Sequence, residues 1–86
     1  METIKVSSSS IPNNVAGAIA SMMRTNQQIQ IQTIGAAALN QAVKSIAIAR
    51  GYIIPTGKEV ICIPSFHDLM VDGKQITAIR ISLELR

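Results

Sequence analysis

Aromatic side chains are nearly absent. Tyr52 and Phe66 are the only two, they make up 2% of the chain, and there is no tryptophan. A core must therefore be assembled from Ile, Val, Leu, Met and Ala, and the platform of exposed aromatics on which single-strand binders stack bases is excluded. Cys62 is the sole cysteine, which rules out an internal disulfide framework and leads us to expect a reducing, cytoplasmic setting. Charge is sparse as well. Charged residues are 15% of the sequence, eight basic against five acidic, with a net charge of +3 and no run of either sign. No apolar stretch approaches the roughly 20 residues that cross a bilayer. The opening residues METIKVSSSS lack the apolar segment of a signal peptide, so a soluble chain with no membrane partner is expected.

What remains is a chain of 86 residues that is 48% hydrophobic, rich enough in aliphatic residues to fold and short enough to hold one core. The expectation is a single domain over residues 1–86, stabilised further by assembly into a homodimer or higher oligomer. Ile4 and Val6 alternate with Thr3 and Lys5 as in a short strand with one buried face. Ser7 to Ser10 then offer hydroxyls for capping, Pro12 suits a first helical turn, and Ile11, Val15, Ala18, Ile19 and Met22 recur at helical spacing. A helix is predicted from about Pro12 to Arg24, closed by Asn26 in the left-handed conformation.

Ile29 and Ile31 alternate with Gln30 and Gln32 in a second strand, and Gly35 turns the chain. From Ala36 to Arg50 the residues Leu39, Ala42, Val43, Ile46 and Ala49 form an apolar stripe, with Gly51 placed as a terminating glycine. Val60 to Ile63 begins a third strand whose Pro64 marks an edge or a bulge. Asp72-Gly73 predicts a two-residue type I′ turn with Val71 and Lys74 paired across it. Ile79, Ile81, Leu83 and Leu85 alternate with polar residues in a final strand. The order is βαβαββ. This is an α/β (α+β two-layer) fold in which two helices packed on one face of a four-stranded mixed sheet leave Thr3, Lys5, Gln30, Gln32, Arg80 and Glu84 on the other.

Catalytic chemistry finds little support. The only histidine, His67, and the only cysteine, Cys62, have opposite parity on one strand and point to different faces, which a thiol nucleophile and its base do not tolerate. Thr56-Gly57-Lys58 ends like a phosphate-binding loop but lacks its first glycine and its hydroxyl residue. The five carboxylates, Glu2, Glu59, Asp68, Asp72 and Glu84, form no acid/base pair. No enzyme, cofactor, metal site or small-molecule substrate is expected. Helix starts are more informative. Both follow parallel strands, where uncapped N–H groups favour anions. Ser8, Ser9, Ser10, Asn13 and Asn14 at the first, Gly35 and Asn40 at the second, with Lys44 and Lys74 for charge, make a candidate contact for nucleic-acid backbone. Arg50 and Lys58 are further basic residues near the second helix.

The run Ile34-Gly35-Ala36-Ala37-Ala38-Leu39-Asn40-Gln41-Ala42-Val43-Lys44, with Ile46-Ala47-Ile48-Ala49-Arg50-Gly51 after it, resembles the stage V sporulation protein S family. Ile4-Lys5-Val6-Ser7, Pro12-Asn13, Val15-Ala16-Gly17-Ala18 and Ile61-Cys62-Ile63-Pro64 resemble it too. That family is similar to the Alba-like proteins, so the resemblance implies a βαβαββ fold, a dimer, DNA or RNA as partner, and a regulatory role in sporulation or cell development. It also implies a binding surface made of the loop Ser8 to Pro12, the helix start Gly35 to Asn40 and the hairpin Phe66 to Gln75. Where Alba proteins carry a lysine pair before the proline, this chain has Ser10 and Ile11, and weak, sequence-indifferent binding is expected. The alternative is a protein-interaction module that binds no nucleic acid. The outer face of the second helix, with Ala37, Ala47 and Ile48 beside Lys44, is the expected oligomer contact; in the alternative, that face and the edge strand interrupted at Pro64 bind the protein partner.

Overall fold

The computed structural model describes residues 1–86. Strand β1 (Glu2–Val6) leads to helix α1 (Pro12–Met23), β2 (Gln28–Thr33), α2 (Ala36–Ile53), a 3-10 turn (Ile54–Thr56), β3 (Val60–Val71) and β4 (Lys74–Leu85). The sheet order is β1-β2-β4-β3, with β1 and β2 parallel and the other pairs antiparallel. Two layers follow from the alternation of side chains. Val6, Ile29, Ile31, Ile81 and Leu83 are buried and join Ala16, Ile19 and Met23 of α1 and Ala42, Ile46, Ala49 and Ile53 of α2 in one core.

Polar partners line the opposite face over β1, β2 and the end of β4, while β3 adds Ile61 and Ile63 there. Gln30 Nε2 donates to Thr3 Oγ1 at 2.9 Å, Gln28 Nε2 to Glu84 Oε1 at 3.3 Å, and Arg80 Nε to Gln32 Oε1 at 3.2 Å. The hairpin turn has the expected geometry, with Asp72 at φ 51° and Gly73 at φ 77°, and Val71 pairs with Lys74. No helix is long and apolar enough to cross a membrane.

Several local expectations are corrected. The serines do not cap α1: the N-cap is Ile11, without a side-chain bond, because Ser7, Ser9 and Ser10 are engaged with one another. Asn26 keeps negative φ; its side-chain amide donates to the Met22 carbonyl at 2.9 Å and closes the helix that way. Ile11 is exposed, and Ala16 and Met23 are buried members of the α1 stripe. Gly51 lies inside α2, which runs on to Ile53; the left-handed glycine is Gly57, at φ 86°, after the 3-10 turn. A glycine followed by further apolar residues does not stop a helix when Ile53 still has a core to enter.

The buried stripe of α2 is Ala38, Ala42, Ser45, Ile46, Ala49 and Ile53, whereas Val43 is 53% exposed. Small residues win the inward positions because α1 packs along α2, and backbones approach closely only where side chains are short. Ser45 enters this stripe by giving its hydroxyl to the Gln41 carbonyl at 2.7 Å. Pro64 sits on an edge strand as expected, but the pairing runs unbroken through it opposite Ile81, with no bulge. An edge strand leaves its outward N–H positions unpaired, so a missing one costs nothing there.

Candidate nucleic-acid interface

Strand register determines which loops meet. The parallel β1 and β2 end together, so the loop Ser7–Ile11 and the turn at Gly35 lie at one end of the sheet. A hydrogen bond joins the loop to α2: Gln41 Nε2 donates to the Ser10 carbonyl at 3.0 Å. Antiparallel β4 pairs Ile79 with Thr33, the last residue of β2. Its first residues and the matching part of β3 therefore project past that same end. Lys74, five residues before Ile79, stands about 17 Å beyond the end of β2.

The helix entrances differ from each other in detail. Gly35 is the N-cap of α2 at φ 89° and ψ 160°, and no side chain caps the first-turn N–H groups behind it. Ala36 and Ala37 are exposed there, and Asn40 lies one turn in, also exposed. At α1, Pro12 occupies the first turn, and Asn13 and Asn14 are exposed with no side-chain bond to the helix. Ser8 and Ser9 are exposed, but Ser10 is partly withdrawn: its hydroxyl accepts the Ser7 N–H at 2.9 Å and its carbonyl is held by Gln41. Ser10 thus shapes the loop. Lys44 is exposed, about 12 Å along α2 from its start.

Other predicted residues lie elsewhere. Arg50 and Lys58 are at the far end of the molecule, toward and beyond the carboxyl end of α2. Arg50 makes a two-pronged bond to Glu59, 2.8 Å on each side. The Arg50 guanidinium, aided by the Val60 N–H, holds the Glu59 carboxyl at about 2, and the Arg50 pKa is raised in return. Cys62 and His67 face opposite sides of β3, as their partners Leu83 and Ala78 show.

Of the expected oligomer contact, Ala37 and Ala47 are exposed, but Ile48 is half-buried against the core and does not head an outer face. The apolar surface beside Ala47 is a groove between α2 and the edge strand, 440 Å³ in volume, lined by Leu39, Val43, Ala47, Cys62, Pro64 and Ile81. Phe66 and Met70, exposed by 81% and 70%, extend it along the hairpin on the same side of the sheet. Sequence periodicity hides this groove because Leu39 and Val43 look like core residues; only the small stripe 38, 42, 45, 49 beside them signals that they have been displaced outward. Apolar surroundings push the Cys62 thiol up from its ordinary pKa.

Comparison with known proteins agrees with this architecture. The model of the family described as Stage V sporulation protein S (SpoVS) matches residues 2–86. Among solved structures, Alba from Thermoplasma volcanium is similar in fold, with a TM-score of 0.67 at 20% sequence identity. The match covers 96% of this chain and 99% of that one.

Proposed function

The chain belongs to the stage V sporulation protein S family, and from that premise we propose that it is a cytoplasmic regulatory protein of sporulation or cell development that binds nucleic-acid backbone as a homodimer. One observation carries the binding reading. The register places the serine loop, the uncapped start of α2 and the projecting hairpin at one end of the sheet, with the loop tied to α2 by the Gln41 bond to Ser10. Ser8, Ser9, Asn13, Asn14, Gly35 and Asn40 offer N–H, hydroxyl and amide groups to phosphate oxygens, Ser10 shapes the loop that presents them, and Lys44 and Lys74 add charge. With a net charge of +3 and Ser10-Ile11 before Pro12, few phosphates are neutralised. The salt slope should correspond to about two to four counterions.

The groove between α2 and β3 is where a second copy packs, with Ala47 and Val43 as contacts in place of Ile48. The same groove favours a second reading, in which it takes a different protein and no nucleic acid is bound. Titration of a labelled DNA duplex and an RNA of matched length at low and rising salt separates the two. A salt-sensitive shift is expected; its absence at low salt in the dimeric protein means that the groove, not the helix entrances, is the working surface.

A further inference from the structure

The helix-free face of the sheet carries a row of donors that the elements above leave unused. Lys5 on β1 stands opposite Gln32 on β2, Gln32 opposite Arg80 on β4, and Arg80 opposite Ser65 on β3. Adjacent strands are about 4.8 Å apart, so Lys5 and Arg80 are rooted about 10 Å from each other with an amide between them. Arg80 Nε is spent on Gln32 Oε1, which leaves the Gln32 NH₂ and the outer guanidinium N–H groups without acceptors.

Neither cation has a carboxylate partner, since the molecule's one ion pair is Arg50 with Glu59 at the far end. Glu84, the acid among the strand residues of this face, is bonded to Gln28. It lies four residues along β4 from Arg80, about 13 Å. The Lys5 end of the row opens into a hollow of 260 Å³ shared with Ser7, Ser8, Gln32 and Ile34. There Ser8 is the one member of Ser7–Ser10 whose hydroxyl has no partner.

Two cations, one of them held by its amide neighbour, a free amide donor and a hydroxyl in line suit an acceptor-only anion that is itself a chain. With no Phe, Tyr or Trp on this face and His67 its one ring, the surface holds a backbone and not bases. We infer that Lys5, Gln32, Arg80 and Ser65 form a phosphodiester track, which takes a nucleic-acid strand from the helix entrances, past Ser8, onto the open face of the sheet. This inference rests on the nucleic-acid reading and extends its footprint to residues outside the loops and the hairpin.

The test compares Lys5→Gln/Arg80→Gln with an equal loss of charge at the far end, supplied by Arg24→Gln/Lys58→Gln, in titrations of a short DNA duplex across about 50 to 200 mM salt. The first pair should lower the salt slope by about 1.8, or about 0.9 per lost phosphate contact, and the second should leave it unchanged. Lys5→Arg/Arg80→Lys, which keeps both charges, should restore it, and circular dichroism checks that all variants fold. In a separate arm, pyrophosphate should shift the NMR signals of Lys5, Gln32 and Arg80 in the unmutated protein. Duplex binding with an unchanged slope in Lys5→Gln/Arg80→Gln overturns the track and leaves the helix-entrance site standing. Pyrophosphate shifts on this row with no duplex binding overturn the nucleic-acid reading, and the strand as occupant with it.

Discussion

Two glycines show how a residue's worth depends on its backbone. At φ 89° and ψ 160°, Gly35 occupies a conformation that L side chains rarely adopt, although a methyl group there would meet no atom within 4 Å. Gly35→Ala should therefore cost about 1–3 kcal/mol from strain alone. Gly51 has equal room but lies inside α2, so Gly51→Ala should stabilise by about 0.5–1 kcal/mol through helix propensity. Urea denaturation of both variants checks the pair, and opposite signs are required. The same strain bears on function: Gly35→Asp, which sets an anion at the uncapped start of α2, should weaken nucleic-acid binding, as read at a temperature where circular dichroism shows the variant folded.

Among the elements, β4 and the α2–β3 connection are the most exposed to test. Ile81 is 4% exposed and faces the helices, while Ser82 is half-buried on the open face. Ile81→Ala should cost about 2–5 kcal/mol and Ser82→Ala little; equal costs in chemical denaturation would mean that the facing of β4 is wrong. The Arg50–Glu59 pair ties the end of α2 to the start of β3. Glu59 sits at about 2 when folded against 4.5 for a free carboxyl, so the unfolded chain takes up its proton first as pH falls. The contribution is whole above about 4.5 and is lost on the way down to about 2. Both groups are exposed, so the effect is modest and screened by salt. Glu59→Gln should be less stable than the parent at neutral pH and equal to it near the folded pKa, as read from urea midpoints across that range.

For the whole molecule, the 440 Å³ groove and the bare Phe66 and Met70 are the features that a lone chain leaves open. Val43→Asp places a charge in the groove and should lower the mass seen by light scattering without unfolding the chain. Ile48→Glu would instead damage the core, because Ile48 packs against it. Cys62 lines the same groove, so its alkylation should slow as protein concentration rises and the second copy covers it. A rate independent of concentration would place the dimer contact on another face.

Local signals in the sequence determined most of the architecture. Period-two alternation marked β1, β2 and β4, helical spacing located α1 and α2, and Asp72-Gly73 specified the hairpin, because each signal needs only the chain's own geometry. The motif from Ile34 to Gly51 was legible as a family resemblance because its residues follow one another without a break. Tertiary structure decided what depends on a neighbour. Whether Val43 or Ala38 faces inward was settled by the close approach of α1, and where α2 stops was settled by the core that receives Ile53, not by Gly51. The candidate site divides in the same way. Ser8, Asn13, Gly35 and Lys74 were visible as residue types beside helix starts and a turn, whereas the alignment of Lys5, Gln32, Arg80 and Ser65 exists only through pairing between strands far apart in sequence. Register is a relation between distant segments, and it is fixed when the sheet forms.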